Sequence, residues 1–289
     1  MRKFLAAIAA LAAVFATPAV TTHADIAQPF GSAPIPAGPA PNWLIADLDS
    51  GQVLAEQNGY AVTPPASTIK VLLALTALDE VGLDDTVVAS PADTAVECNC
   101  AGIKPGQTYT ARQLLDALLL VSGNDAANAL ADMLGGPEAA VAKMNAKAAE
   151  VGATATHAST PSGLDGPDGP GATTPHDLAV IFRAAMANPV FAEITAAPTA
   201  MFPTDAGERP LVNMNELLHR YPGAFGGKTG FTDAARKTYV GGASRDGRRL
   251  VVAMMYGLIR EGGPNYWDQA GALLDWGFAQ GPMSGVGSL

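Results

Sequence analysis

Residues 64–81 read Pro-Pro-Ala-Ser-Thr-Ile-Lys-Val-Leu-Leu-Ala-Leu-Thr-Ala-Leu-Asp-Glu-Val. Two prolines precede a run without helix breakers, and proline is favoured at a helix start and disfavoured inside one. Ala66 to Val81 therefore predicts a helix. Val71, Leu72, Leu73, Leu75 and Leu78 cover a broad part of its surface. A helix apolar over most of its circumference belongs in the middle of a domain. Within it, Ser67 and Lys70 stand three residues apart, which puts both side chains on one face about one turn apart.

The elements around this helix follow from periodicity and turn residues. Upstream, Asn42 to Asn58 predicts a hairpin: Trp43-Leu44-Ile45-Ala46 runs out, Asp49-Ser50-Gly51 turns and Val53-Leu54-Ala55 returns. Residues 25–41, rich in Pro, Ala and Gly, predict an extended lead-in. Downstream, residues 82–109 are turn-rich. Thr110 to Val121 predicts a second helix through Leu114, Leu115, Leu118 and Leu119. It breaks at Ser122-Gly123-Asn124, and helical patterning resumes over Asp125–Leu134 and 137–151. Residues 153–174 predict a long surface loop, and Thr174-Pro175-His176-Asp177 a helix start running to about Ala187. Strands follow over Gly226–Thr232, Thr238–Ala243 and Leu250–Tyr256, the last two joined through Arg245-Asp246-Gly247. Tyr266 to Phe278 predicts an amphipathic closing helix. The fold class is α/β: the first and last strand groups join into one antiparallel sheet flanked by helices, beside an all-helical lobe.

Composition narrows the function. The 289 residues are 48% hydrophobic and 15% charged, enough for a sizeable core. A formal net charge of −10 argues against nucleic-acid or anionic-membrane binding by bulk charge. Arg2 and Lys3, the apolar stretch Phe4–Val14 and Thr22-His23-Ala24 form the three parts of a secretory signal peptide, residues 1–24, so the chain is expected to be exported to the periplasm, the cell wall or the medium. Cys98 and Cys100 flank one asparagine. Export allows a disulfide between them, and the spacing would close a tight ring. No His lies close enough to make zinc or an activated thiol attractive.

Three short motifs carry chemistry. A serine hydroxyl needs a base within hydrogen-bond reach to become a nucleophile. Lys70 can be that base if burial or a neighbouring cation lowers its pKa. Ser122-Gly123-Asn124 offers a hydroxyl to pass a proton and an amide to hold a carbonyl. Lys228-Thr229-Gly230 opens the strand block with a second cation, a hydroxyl for a carboxylate and a glycine that lets a ligand backbone approach. Read alone, each also fits a helix cap, a C-cap glycine or an edge strand with a protective lysine.

Each motif occurs once, in this order, and the set is that of β-lactamases and penicillin-binding proteins. The chain resembles that family over roughly residues 40–280, and within it the D-alanyl-D-alanine carboxypeptidases. Supporting stretches are Pro65 to Lys70, Ser122 to Leu130, and Tyr221-Pro222-Gly223 followed by Gly227 to Thr232. The resemblance implies that Ser67 attacks the bond between two D-alanines and forms an acyl-enzyme that water hydrolyses, with Lys70 taking the Ser67 proton. Ser122 and Lys228 would relay a proton to the leaving D-alanine, Asn124 would hold the substrate amide, and Thr229 the terminal carboxylate. Gly230 belongs to the substrate-binding strand, and the N–H groups of Ser67 and Phe231 would form the oxyanion hole. Arg260 is a further candidate for the carboxylate. The implied partners are a peptidoglycan stem peptide ending in D-Ala-D-Ala and β-lactams as acylating inhibitors, with no metal or other cofactor.

Two departures refine this expectation. Many such proteins continue into a β-rich domain and a membrane-binding helix. Here only 59 residues follow Gly230, and two strands and a helix use them up; the catalytic domain spans residues 42–280 and leaves a tail at 281–289, which implies the short single-domain form without a stable membrane anchor. Class A β-lactamases also carry a Glu that activates the deacylating water, in a Glu-x-x-Leu-Asn context. Glu138 and Glu150 lack that context, which favours carboxypeptidase over β-lactamase. An endopeptidase on the same site and a cell-wall binding protein without turnover are the other readings. No Gly-x-Ser-x-Gly elbow serves His157, His176 or His219, and no His-Glu-x-x-His is present.

Overall fold

The computed structural model describes residues 26–258, 264–281 and 285–289. The signal segment and Arg260 lie outside the described residues. After a short strand β1 (Ile26–Ala27) come the hairpin strands β2 (Asn42–Asp47) and β3 (Gln52–Gln57). A 3₁₀ turn (Ala66–Ile69) leads into α1 (Lys70–Glu80). The next segment holds β4 (Thr86–Val88), α2 (Pro91–Thr94) and β5 (Thr108–Thr110), then α3 (Ala111–Leu120), α4 (Asn124–Met133) and α5 (Pro137–Glu150). A long loop leads to α6 (Pro175–Met186) and α7 (Pro189–Ala196). The hairpin β6 (Thr199–Thr204) and β7 (Gly207–Val212) and the single turn α8 (Leu217–Arg220) precede β8 (Ala224–Thr232), β9 (Arg236–Arg245) and β10 (Arg248–Gly257). The chain closes with α9 (Tyr266–Ala279) and β11 (Gly287–Ser288).

The predicted union of early and late strands forms through β10, which pairs antiparallel with β2 from Leu250↔Asp47 to Met255↔Asn42. The sheet order is β1-β3-β2-β10-β9-β8, with β11 added on β3. The last residues, expected as a tail, thus extend the sheet: Gly287 pairs with Val53 and Ser288 with Gln52. Because side chains alternate along a strand, β2 and β10 feed two cores. Leu44, Ala46, Val251, Ala253 and Met255 face the helical lobe and pack with α1, α3 and α6. Trp43, Ile45, Leu250, Val252 and Met254 face the other way and pack with Leu273, Leu274 and Trp276 of α9.

Capping fixes several helix starts. Thr110 and Gln113 form a capping box at α3, Asn265 and Asp268 one at α9, and Thr174 caps α6 through the Asp177 N–H. The β6–β7 hairpin and the β4–β5 pair, whose strands are separated by α2, go beyond the sequence reading. Both are two-stranded and lie outside the main sheet. Pro203 and Pro210 sit within β6 and β7, where such peripheral strands tolerate proline.

Candidate active site

The helix predicted from Ala66 begins as a 3₁₀ turn, and this matters for the Ser67–Lys70 spacing. In a 3₁₀ turn, residues i and i+3 eclipse one another, so Lys70 lies directly below Ser67. Lys70 Nζ is 2.8 Å from Ser67 Oγ. It also donates to Asn124 Oδ1 at 2.7 Å and to the Ser162 carbonyl at 2.6 Å. Lys70 is fully buried, and its pKa falls well below the ordinary lysine value. Burial is the main cause and the charge of Lys228 adds to it, while Asp125 works in the opposite direction. When Lys70 is neutral, the two N–H groups aimed at Asn124 and Ser162 leave its lone pair directed at Ser67 Oγ.

Ser122 and Asn124 reach the same place from the α3–α4 break. Ser122 holds a left-handed backbone at φ 60°, unusual for a residue with a side chain. Its hydroxyl accepts from Lys228 Nζ at 2.8 Å. Lys228 also donates to its neighbour's carbonyl, Thr229 O, at 2.7 Å, and burial pulls its pKa down to about 7. Asn124 is gripped on both sides: its Oδ1 accepts from Lys70 and its Nδ2 donates to the Glu97 carbonyl at 2.7 Å. One Nδ2 hydrogen is left over for a ligand carbonyl.

Strand β8 forms the other wall. It ends the sheet order, so one of its edges is unpaired by β9 and faces the cleft. Gly230 brings it close. A Cβ there would lie 2.9 Å from the Ser67 nitrogen, 3.0 Å from the Thr68 nitrogen and 2.3 Å from Thr238 Oγ1. Only glycine lets β8 pack onto the 3₁₀ turn, and this close approach sets the strand beside the Ser67 N–H. Ser67, Ser122, Asn124, Thr229, Gly230 and Phe231 all line one cleft of about 410 Å³. Every described site residue expected from the sequence therefore meets here, with the two lysines beneath the cleft floor.

The sequence reading missed other members. The Ser162 carbonyl is a main-chain group that any residue would supply, so no side-chain pattern announces it. Asp125 is buried, and its carboxylate accepts from the N–H groups of Ala101, Gly102 and Ile103 at 2.8–3.0 Å, fastening that loop to the start of α4. Thr238 Oγ1 donates to the Pro65 carbonyl at 2.9 Å and ties β9 to the turn that carries Ser67. Cys98 and Cys100 are bridged, and Cys98 lines the cleft. The tight ring expected from the one-residue spacing is closed.

A buried lysine under a serine, a second lysine under a second serine, and an edge strand alongside form the machinery of a serine acyl-transfer enzyme. The D-alanyl-D-alanine carboxypeptidase family, peptidase S11, matches residues 31–257. The chain belongs to this family. It is 68% identical to the D-alanyl-D-alanine carboxypeptidase DacB2 of Mycobacterium tuberculosis (strain ATCC 25618 / H37Rv), over the whole of both chains. The crystal structure of a D-alanyl-D-alanine carboxypeptidase from M. tuberculosis H37Rv superposes with a TM-score of 0.90 at 71% identity, covering 91% of this chain and all of that one. Penicillin-binding protein D2 of Listeria monocytogenes, solved in its ampicillin-bound form, superposes with a TM-score of 0.74 at 29% identity, covering 85% of this chain and all of that one. The recognised carboxypeptidase family, its fold and its serine-hydrolase class all agree with the resemblance drawn from the three motifs.

Proposed function

We propose that this carboxypeptidase removes the terminal D-alanine from peptidoglycan stem peptides through an ester on Ser67, and that Lys70 is the base. The observation that carries the reading is the 2.8 Å contact between Ser67 Oγ and a fully buried Lys70 Nζ. The neutral amine takes the Ser67 proton as Oγ attacks the carbonyl carbon of the penultimate D-alanine. The resulting oxyanion sits between the Ser67 and Phe231 N–H groups. Collapse of the intermediate breaks the C–N bond, and the departing amine receives a proton through Ser122, replenished from Lys228. The proton gained by Lys70 makes up for the one Lys228 gave away; water then attacks the ester, and one of its protons returns to Ser67 Oγ as the C–O bond breaks, which gives the shortened peptide and the free enzyme. Thr229 holds the substrate carboxylate, Asn124 its amide carbonyl, and the free edge of β8 pairs with its backbone.

A β-lactam acylates Ser67 by the same first step. The segment that offers Ser162 to Lys70, residues 159–164, contains no carboxylate to activate a water. Release of the penicilloyl ester is therefore slow, and carboxypeptidase activity outweighs β-lactamase activity. The N-terminal pattern Arg2–Ala24 supports export to the cell wall compartment, and the net charge of −10 argues against nucleic-acid binding by bulk charge.

The test is to label the native protein with a fluorescent penicillin and, separately, to follow D-alanine release from a peptide ending in D-Ala-D-Ala. Covalent label and D-alanine release are both expected, and Ser67→Ala abolishes both. Label that persists in Ser67→Ala would move the nucleophile elsewhere. Rapid turnover of a chromogenic β-lactam with an untouched peptide would replace the reading with a β-lactamase.

A further inference from the structure

The walls of the cleft include a covalent feature that the proposed mechanism does not use. The Cys98–Cys100 bridge closes a small ring that contains the main chain of Asn99. The carbonyl carbon of Asn99 is itself a ring atom, so the direction of that carbonyl is fixed by the bridge. Asn99 O accepts the backbone N–H of Asn124 at 2.7 Å. The Asn99 side chain donates to Val121 O at 3.0 Å. One residue thus clamps both ends of the Ser122–Gly123–Asn124 turn. The carbonyl just before the ring, Glu97 O, holds the Asn124 side chain. Beyond the ring, Ala101, Gly102 and Ile103 are tied to Asp125, the residue after the turn. Ser122 needs such outside support because its φ of 60° is not one it would adopt on its own.

We propose that the Cys98–Cys100 bridge is a positioning element of the active site. It presets Asn99 so that Ser122 and Asn124 meet Lys228 and Lys70, and cleaving it slows acylation of Ser67 without unfolding the protein. Cys98 is exposed at the cleft, so a small dithiol can reach the bond. The reaction is thiol–disulfide exchange: a dithiol loses two electrons and two protons, becomes a cyclic disulfide, and leaves Cys98 and Cys100 as thiols. An exported chain keeps the bridge oxidised in an oxidising compartment.

The inference rests on Ser67 being the penicillin-reactive group, and the experiment separates the two. The rate of acylation by a fluorescent penicillin is measured on oxidised protein, on protein reduced with dithiothreitol, and after reoxidation, with thiols counted in each state. Reactive sites are titrated to completion, so that the rate refers to folded enzyme. The expected result is two thiols on reduction, an acylation rate lower by about tenfold, an unchanged number of titratable sites, and recovery on reoxidation. A Cys98→Ser/Cys100→Ser double variant should show the slow rate with or without dithiothreitol. Loss of Asn124 as an acceptor also disfavours the Lys70 ammonium, so the acid limb of the acylation profile should move to lower pH. An unchanged rate after reduction, a rate loss that only tracks loss of titratable sites, or two free thiols in untreated protein would each overturn the proposal. No labelling of the oxidised protein at all would instead overturn the Ser67 reading. The reduction arm stands even if the double variant does not fold.

Discussion

The two faces of the sheet solve opposite problems. Toward α9, β2 and β10 present Trp43, Ile45, Leu250, Val252 and Met254 to Leu273, Leu274 and Trp276, all buried apolar groups. The buried amide there, Gln269, has both ends taken by the main chain of Ala40. Toward the helical lobe the sheet is just as apolar at β2 and β10, yet at β8 it turns polar. There Lys70, Lys228, Ser122, Asn124, Asp125 and Thr238 are all buried. Apolar contact needs no special geometry to be favourable, whereas a buried lysine costs free energy unless its donors are met or its proton is lost. The α9 face supplies stability, and the β8 seam holds groups that folding alone would not select. Lowered lysine pKa values follow from that burial and are what the chemistry needs.

The comparison can be broken at several points. The largest expected effect is Lys70→Met. It removes the base, and acylation by penicillin should fall by about 10³-fold or more, while thermal stability near neutral pH holds or rises because the cost of burying a lysine and stripping its proton is gone. A variant that reacts at the native rate, or that unfolds, would erase the contrast between the faces. Leu273→Ala should do the reverse. It leaves a cavity under α9 and should cost about 3 kcal/mol in chemical denaturation, with kcat for D-alanine release unchanged.

A smaller effect is the pH slope of stability. The folded pKa of Lys228, about 7, lies below the ordinary lysine value of 10.5. Between those values the unfolded chain binds more protons than the folded one, so stability rises with pH across that window, and the cost of burying Lys228 grows as pH falls toward 7. Native protein minus Lys228→Met should show a slope of about 1 kcal/mol per pH unit there. Equal slopes in both proteins would mean that Lys228 is not titrating in the seam.

Much of this was legible in the sequence because it rests on short-range patterns. The 3.6-residue spacing of leucines gave α3, the proline pair marked the start at Ala66, and the strand runs from Gly226 onward with the Arg245-Asp246-Gly247 turn marked β8 to β10. The order of the three motifs pointed to one site although they lie far apart in the chain. What escaped depends on tertiary context. The 3₁₀ start of the first helix differs from an α-helix only in local winding, and it lies in close contact with Gly230, far away in the sequence. The Ser162 carbonyl carries no sequence mark. The β6–β7 hairpin carries prolines that discourage a strand reading, and it is tolerated because it pairs only with itself. Pairing of Gly287 and Ser288 with β3 has no periodicity to announce it in two residues.

The central claim is that burial turns Lys70 into a base for Ser67. Its most direct test is an NMR titration of ¹⁵N-lysine-labelled protein, with the Lys70 Nζ signal assigned by its loss in Lys70→Met. The account predicts that Lys70 loses its proton well below the ordinary lysine value of 10.5 and that the acylation rate rises along the same curve. A Lys70 ammonium that persists to pH 10.5 or beyond while Ser67 is still acylated at neutral pH would contradict it.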